Sequence, residues 1–253
     1  ALWEFPAAVH YVDMLEIELR GADLASHYPG LVVVHLPTFW IYHHWALMLD
    51  PTKLARWWRC STVMIDGTLL GTDKLVHFVH MGYLYFSTYR GALASGATEE
   101  VAWRSAVEFG NGASPFSERA LLGFLTSGVI SNADLASNYA GMKFFRNLTE
   151  PVQLRGQMQS PMLERDGEFF RLAAHVNPHS DFFKAFVSDH WNEVFNPNEY
   201  AWGIGGFVRE EIAKRCDDVL DWYRTEDGRR MTRGDFQLKL EGTRRYFGED
   251  YGH

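Results

Sequence analysis

Residues 73–80 have the sequence DKLVHFVH, and residues 131–141 have the sequence SNADLASNYAG. In both stretches polar residues recur at helical spacing among apolar ones, which predicts two helices that each carry a polar stripe. The Gly-rich segment between them contains the carboxylates Glu108 and Glu118. Polar groups inside an otherwise apolar helical pattern break a folding rule, and such breaks are expected at functional sites. We therefore expect the functional site to lie in this part of the chain.

Capping and helix-breaking residues divide the surrounding sequence into further helices. Around the two stretches we predict helices from Thr72 or Asp73 to about Ala94, from Thr98 to Glu108, from Ser117 to Phe124, and from Ser131 or Asn132 to about Leu148. Elsewhere helices are predicted within residues 1–30 and 37–49, and over residues 181–194, 207–223 and 235–247.

Strand signals are sparse by comparison. Residues 31–36 (LVVVHL) are rich in β-branched side chains, but no partner strand is evident, so we predict a buried extended piece or a short helix. Gly67 and Gly71 bracket a predicted loop, and a short hairpin is expected around Phe169-Phe170. No repeat or linker composition is present. The sequence predicts a mostly α fold, a single compact helical domain over residues 1–253 with long Gly-rich loops and at most a small β-hairpin.

Composition narrows the function classes. The chain has 253 residues, 47% of them hydrophobic, which is ample for a core, and a net charge of −8 without a basic stripe disfavours nucleic acid as a partner. No apolar run is long enough for a transmembrane span. No G-x-S-x-G motif, phosphate-binding Gly loop or dinucleotide fingerprint occurs, which disfavours serine hydrolases, kinases and Rossmann enzymes. Cys60 and Cys216 could form a disulfide or remain two free thiols.

Asp73, His77 and His80 form the first candidate site. Their spacing of i, i+4 and i+7 places them on one stripe of a helix. Two histidines and a carboxylate could bind a divalent metal such as zinc, with a further ligand from His35, His43 or His44. Alternatively, the carboxylate orients an imidazole that binds substrate, or the histidines are satisfied core groups.

Glu108 and Glu118 form a second candidate site with Asp134 and Asn138. A carboxylic acid that is partly buried near a Gly-rich turn can have a raised pKa and act as a general acid, and a second carboxylate completes the chemistry of glycan cleavage. Asp134 and Asn138 are four residues apart on one predicted helix, so both can face one ligand. The alternative is that these residues cap helix ends or lie on solvent-exposed faces of helices.

Residues 136–148 (ASNYAGMKFFRNL) resemble the N-x-x-x-G/A-x-x-Y/F-L helix of lysozyme-like lytic transglycosylases. In that family the helix follows a catalytic Glu and a Gly-rich hairpin, so the resemblance implies a catalytic Glu upstream. The family's Glu-Ser pair and its G-L-M-Q hairpin are absent here, which leaves the choice between Glu108 and Glu118 open. We favour Glu118 because it leads directly into the turn at residues 123–128.

The expected function is therefore that of an exported glycan-cleaving enzyme, of the glycoside hydrolase or lytic transglycosylase type, acting on a cell-envelope or related polysaccharide without a cofactor. The chain begins with Ala, in keeping with a removed leader, and we expect a periplasmic or secreted protein. Catalysis is assigned to Glu118 or Glu108 with Asp73 or Asp134. Substrate binding is assigned to His77, Asn138, Trp103, Asp189 and Trp191.

Two alternatives remain open at this point. One is a metal-dependent hydrolase that uses Asp73, His77 and His80. The other is a non-enzymatic envelope binding or assembly protein. The sequence does not determine the oligomeric state.

Overall fold

The computed structural model describes residues 32–34 and 62–245, except residues 116, 121, 122, 178, 215 and 226. The structure has 48% helix and 16% strand. Its α-helices in the described residues are α1 (Asp73–Val76), α2 (Gly82–Ala94), α3 (Glu99–Glu108), α4 (Phe124–Ser127), α5 (Asn132–Asn147), α6 (Ile204–Lys214), α7 (Cys216–Leu220) and α8 (Arg233–Arg245). The π-helical turn His77–Met81 joins α1 to α2, and a second π-helical turn, Phe109–Ala113, extends α3. A 3-10 turn covers Asp189–Trp191.

The main hydrophobic core lies where α2 packs against α3 and α5. α2 contributes the large buried rings of Tyr85 and Tyr89, whereas α3 contributes the small residues Ala102 and Ala106. The small side chains let the helices approach closely, and the rings fill the space between them. This arrangement fixes α5 against the continuous helix formed by α1, the first π turn and α2.

A three-stranded antiparallel sheet precedes α1. Its strands are β1 (Val32–Val34), β2 (Thr62–Ile65) and β3 (Thr68–Gly71), in the order β1-β2-β3. β2 and β3 are joined by Asp66-Gly67, whose φ angles of 48° and 77° are both positive. Positive φ at both central residues is the requirement of a tight two-residue hairpin turn, which Asp-Gly meets at low steric cost.

Three further sheets are two-stranded and antiparallel. They pair β4 (Val129–Ile130) with β9 (Glu199–Tyr200), β5 (Val152–Leu154) with β6 (Gln157–Gln159), and β7 (Leu163–Asp166) with β8 (Phe169–Leu172). The last of these is the hairpin expected around Phe169-Phe170. A small second core of Leu69, Phe195, Tyr223 and Met231 packs beside β3.

The prediction of a mostly α fold with at most one small hairpin is wrong, because the described residues form a mixed α/β structure with four separate sheets. The strands are two to four residues long, too short for the alternation of polar and apolar residues that identifies a strand. Nothing in the structure tests the prediction of a single domain.

Several local predictions also fail. Val32–Val34 in residues 31–36 has a partner strand in β2, and the predicted loop between Gly67 and Gly71 is strand β3. Residues 117–120 form a turn before α4, and residues 181–194 form turns around one 3-10 turn rather than a helix. The helices predicted within residues 1–30 and 37–49 lie outside the described residues.

Candidate functional site

Lys74 and His77 project from the helix that begins at Asp73. The helix widens into a π turn at His77–Met81, where the Gly82 N–H donates to the carbonyl of His77, five residues back. Such single π turns occur frequently at functional sites, because the extra residue changes the direction of the side chains that follow. Here the π turn lies directly against α5.

Two glycines set the distance between the π turn and α5. A Cβ atom added to Gly82 would lie 2.6 Å from the Cα atom of Gly141, and one added to Gly141 would collide with the carbonyl oxygen of Phe78. The two backbones are therefore in contact, which no larger residue at either position would allow without movement. As a result Asp134 and Asn138, on the N-terminal half of α5, face Lys74 and His77.

Lys74 is buried among carboxylates, with only 2% of its surface exposed. Its Nζ atom lies 2.5 Å from Asp134 Oδ1, 2.8 Å from Asp73 Oδ2 and 2.9 Å from Glu193 Oε1. Burial alone would lower the pKa of Lys74, but the three carboxylates raise it well above its ordinary value. Lys74 is therefore a permanent buried cation.

His77 contacts α5 through both ring nitrogens. Nε2 lies 3.5 Å from Asp134 Oδ2, and Nδ1 lies 3.0 Å from the side-chain amide of Asn138. Burial opposes the charged ring, but the carboxylates of Asp134 and Glu118 outweigh it and raise the pKa of His77. A protonated ring pairs with Asp134 through Nε2.

The Asn138 amide nitrogen is surrounded by acceptors. It lies 3.0 Å from His77 Nδ1, 3.1 Å from the Asp134 carbonyl and 3.3 Å from the His77 carbonyl. When the His77 ring is neutral, Nδ1 accepts a bond from this nitrogen and Nε2 carries the proton.

Glu118 reaches this cluster from the turn at residues 117–120. Its backbone is held by a bond from its N–H to the Gly110 carbonyl (2.9 Å) and by one from the Phe124 N–H to its own carbonyl (2.7 Å). Its Oε2 accepts the Ser131 N–H at 3.4 Å, whereas its Oε1 is buried and has no hydrogen-bond partner in the described part of the chain. Glu118 is 2% exposed.

The surroundings of Glu118 favour its protonated form. Burial is the largest cause, and repulsion from Asp134 adds to it, so the pKa of Glu118 rises to about 7 despite the opposing charges of His77 and Lys74. At neutral pH this side chain is therefore divided between acid and carboxylate.

His77, Glu118 and Asp134 also form a group that could hold a metal ion. One ligand atom from each lies within 4.8 Å of the other two. This group shares only His77 with the predicted metal set of Asp73, His77 and His80. His80 is half-buried in the π turn, and His35, His43 and His44 lie outside the described residues.

The structure brings four of the predicted site residues together: Glu118, Asp134, His77 and Asn138. Asp73 joins them through Lys74, with its own side chain 52% exposed. The sequence analysis gave no role to Lys74 or Glu193. Lys74 does carry a signal, because a Lys beside Asp73 in an apolar helix needs a carboxylate partner when buried.

The other predicted residues lie elsewhere. Glu108 is exposed at the end of α3, and Asp189 pairs with Lys239 at 3.0 Å. Trp191 is fully buried in the core against Phe78 and does not present a ring to a ligand. Trp103 is half-buried and packs on aromatic rings of α2 and α5.

Comparisons with known proteins add no relative. No protein-family model, curated protein or solved structure matches this chain. The resemblance to lysozyme-like lytic transglycosylases therefore stays a prediction. Among the described residues, none of the helices is both long and apolar enough to cross a membrane.

Proposed function

We propose that this protein is a glycan-cleaving enzyme in which Glu118 is the general acid. One observation carries the proposal: the buried carboxyl group of Glu118, whose pKa is raised to about 7, has one oxygen without a hydrogen-bond partner among the described residues and lies beside the Asp134 carboxylate. A general acid works best when its pKa is close to the working pH, because it must be protonated and still release its proton readily. Glu118 meets this requirement near neutral pH.

Asp134 is the second carboxylate of the proposed pair. Lys74 and His77 flank the Asp134 carboxylate, whereas burial favours the protonated form of Glu118. Two carboxyl groups with such different surroundings can divide the roles of acid and charge stabiliser. One oxygen of each lies within 4.8 Å of the other.

His77, whose side chain is 16% exposed, would act on the substrate side of this pair. His77 can carry a second proton, and the buried Asn138 side chain holds the ring at Nδ1. The choice of a cell-envelope or related polysaccharide as substrate is supported by the resemblance of residues 136–148 and by the carboxylate pair. A periplasmic or secreted location belongs to the same proposal. Stacking of a sugar on Trp191 is not part of it, because that ring is buried.

The test is release of new sugar ends from purified peptidoglycan and a panel of soluble polysaccharides. We expect Glu118→Gln to lower the rate by a factor of roughly 10²–10⁴, because the amide keeps the shape of the acid but cannot donate the proton. Glu108→Gln tests the competing acid, and Glu100→Gln, an exposed change on the same helix, is the control. Thermal unfolding of each variant confirms folding.

The outcomes separate the hypotheses. Wild-type activity in Glu118→Gln, or a loss confined to Glu108→Gln, removes Glu118 as the acid. Binding of a glycan without turnover by the wild type, unchanged in both variants, favours the non-enzymatic alternative.

A further inference from the structure

The buried cluster contains more negative than positive charge. Lys74 Nζ contacts Asp73, Asp134 and Glu193, and Glu118 adds a fourth carboxyl group beside Asp134. The Lys74 ammonium and a protonated His77 ring together face four carboxyl groups, two of which, Asp73 and Glu193, are about half exposed. Because uncompensated charge in a buried site is costly, such a cluster attracts a further positive charge.

One ligand atom each of His77, Glu118 and Asp134 lies within 4.8 Å of the other two. Asp134 Oδ1 pairs with Lys74, and the other oxygen, Oδ2, lies 3.5 Å from His77 Nε2. Glu118 Oε2 accepts the Ser131 N–H. The other oxygen, Oε1, is buried and has no hydrogen-bond partner among the described residues. A separation near 3.5 Å is what two neighbouring ligands have when each lies about 2.0–2.2 Å from a tetrahedral zinc ion.

Asn138 holds the His77 ring on the side away from the carboxylates. Its side-chain amide lies 3.0 Å from Nδ1. Nε2 is thereby directed toward Asp134, at 3.5 Å from Oδ2. Metal-binding histidines usually have such a partner on the other ring nitrogen, because it fixes the direction of the ring.

We infer that His77 Nε2, Asp134 Oδ2 and Glu118 Oε1 form a binding site for one divalent transition-metal ion of the zinc type. One imidazole and two carboxylates suit zinc and its neighbours, whereas three ligands of this kind are too few for calcium, which takes six to eight oxygens. A bound ion would occupy the carboxyl group that the proposed reaction uses as its acid. Zinc should therefore inhibit the proposed reaction; only this consequence rests on the proposed function.

The binding test uses zinc alone and needs no substrate. Tag-free protein is stripped with chelator, titrated with zinc chloride by calorimetry, and analysed for bound metal after dialysis. We expect one zinc per chain in the wild type and an affinity at least tenfold lower in Glu118→Gln, which keeps the size of the side chain. Asp134→Asn should show the same loss.

His80→Gln is the matched control, because His80 lies on the same helix but outside the three-residue group. We expect its zinc affinity to equal that of the wild type. Loss of binding in His80→Gln with retention in Glu118→Gln would move the ion to the Asp73, His77 and His80 stripe and overturn the inference. No stoichiometric zinc in the wild type would overturn it as well.

The activity assay is run in parallel so that the two proposals fail separately. If zinc does not bind and Glu118→Gln is inactive, the proposed metal site is ruled out and Glu118 is retained as the general acid. Zinc that binds through Glu118 and activates the enzyme supports the site and removes the metal-free acid mechanism.

Discussion

The two halves of α5 carry charged networks of opposite character. At its N-terminal half Asp134 meets Lys74 and His77, beside Glu118. At its C-terminal half Arg146 pairs with Glu99 at 2.6 Å and with Glu150 at 2.9 Å. We call the first the buried network and the second the surface network.

Burial decides how the same residue type behaves in the two networks. Glu118 in the buried network is 2% exposed, and desolvation raises its pKa to about 7. The Glu99 side chain in the surface network is 56% exposed, and its hydrogen bond from Arg146 lowers its pKa. The surface network stabilises charges that water already solvates, whereas the buried network holds charges that the protein must balance itself.

The difference shows where to look for function. In the surface network Glu99 pairs with Arg146, and Glu150 pairs with both Arg146 and Arg90. The Arg146 guanidinium also packs on the rings of Tyr89 and Trp103. Charge pairing and ring packing account for this arrangement without a functional role. The buried network has an excess of acid and a free carboxyl oxygen, which packing alone does not explain.

The largest contrast should come from removing the cation of each network. Lys74→Met leaves the buried carboxylates without their ammonium, and we expect a loss of about 3–5 kcal/mol in the free energy of unfolding. Arg146→Met removes a partly exposed pair and its ring contacts, and should cost about 1 kcal/mol. Urea denaturation at pH 7 measures both. Equal losses in the free energy of unfolding for the two variants would contradict the stated effect of burial on the two networks.

The pH dependence of stability should differ in sign between Glu118 and Glu99. The pKa of Glu118 rises from 4.5 in the unfolded chain to about 7 when folded. Between these values the folded state binds more protons, so stability falls as pH rises, by about 3 kcal/mol in total. His77, whose pKa is also raised, adds to the loss above its unfolded value of 6.5.

Two variants isolate these contributions. Glu118→Gln cannot ionise, so it should be more stable than the wild type at pH 8 and similar at pH 4. For Glu99 the lowered pKa means that its contribution is present above pH 4.5 and is lost as pH falls through the folded value. Glu99→Gln should therefore lower the free energy of unfolding at pH 8 and leave it unchanged below the folded pKa of Glu99. Parallel pH profiles for the two variants would contradict the assigned shifts.

The sequence predicted the helices of both networks better than it predicted the strands. A helix was predicted to start at Thr98, and another to be capped by Ser131 or Asn132. Thr98 and Ser131 cap α3 and α5, and each accepts a backbone N–H from the first turn of its helix. Capping is local, so the residues that decide it are visible in the sequence. The Asp66-Gly67 turn was also visible, as an Asp-Gly pair between apolar residues, but it was interpreted as a loop.

The non-local features could not be derived in this way. The partnership of β1 with β2 joins segments almost thirty residues apart, and the depth at which Trp191 is buried depends on the whole core. The helical spacing of Asp134 and Asn138 indicated a shared face but not which groups that face would meet. The contact with Lys74 follows from the close approach of Gly82 and Gly141, which helix propensity disfavours and only packing explains.

Alanine at two glycines of α2 tests that approach. Gly82 touches α5 beside the buried network, so Gly82→Ala should force the backbones apart and cost about 1–3 kcal/mol. An added Cβ on Gly91, near the other end of the same helix, would meet nothing within 4 Å. Gly91→Ala should therefore stabilise by up to about 1 kcal/mol through helix propensity. Thermal unfolding that shows the same sign for both would contradict the contact.

The smallest contrast concerns the two helix caps. Ser131 is 6% exposed, and its hydroxyl accepts the Asp134 N–H at 3.2 Å, so Ser131→Ala leaves a buried N–H unpaired at the start of α5. Thr98 accepts the Val101 N–H at 3.4 Å in an exposed position, where water can replace it. We expect losses of about 1–2 kcal/mol for Ser131→Ala and about 0.5 kcal/mol for Thr98→Ala. Because the Ser131 hydroxyl holds the backbone of Asp134, a proposed zinc ligand, Ser131→Ala should disturb the zinc affinity, whereas Thr98→Ala should leave it unchanged. Calorimetry on both variants decides whether the cap and the site are coupled.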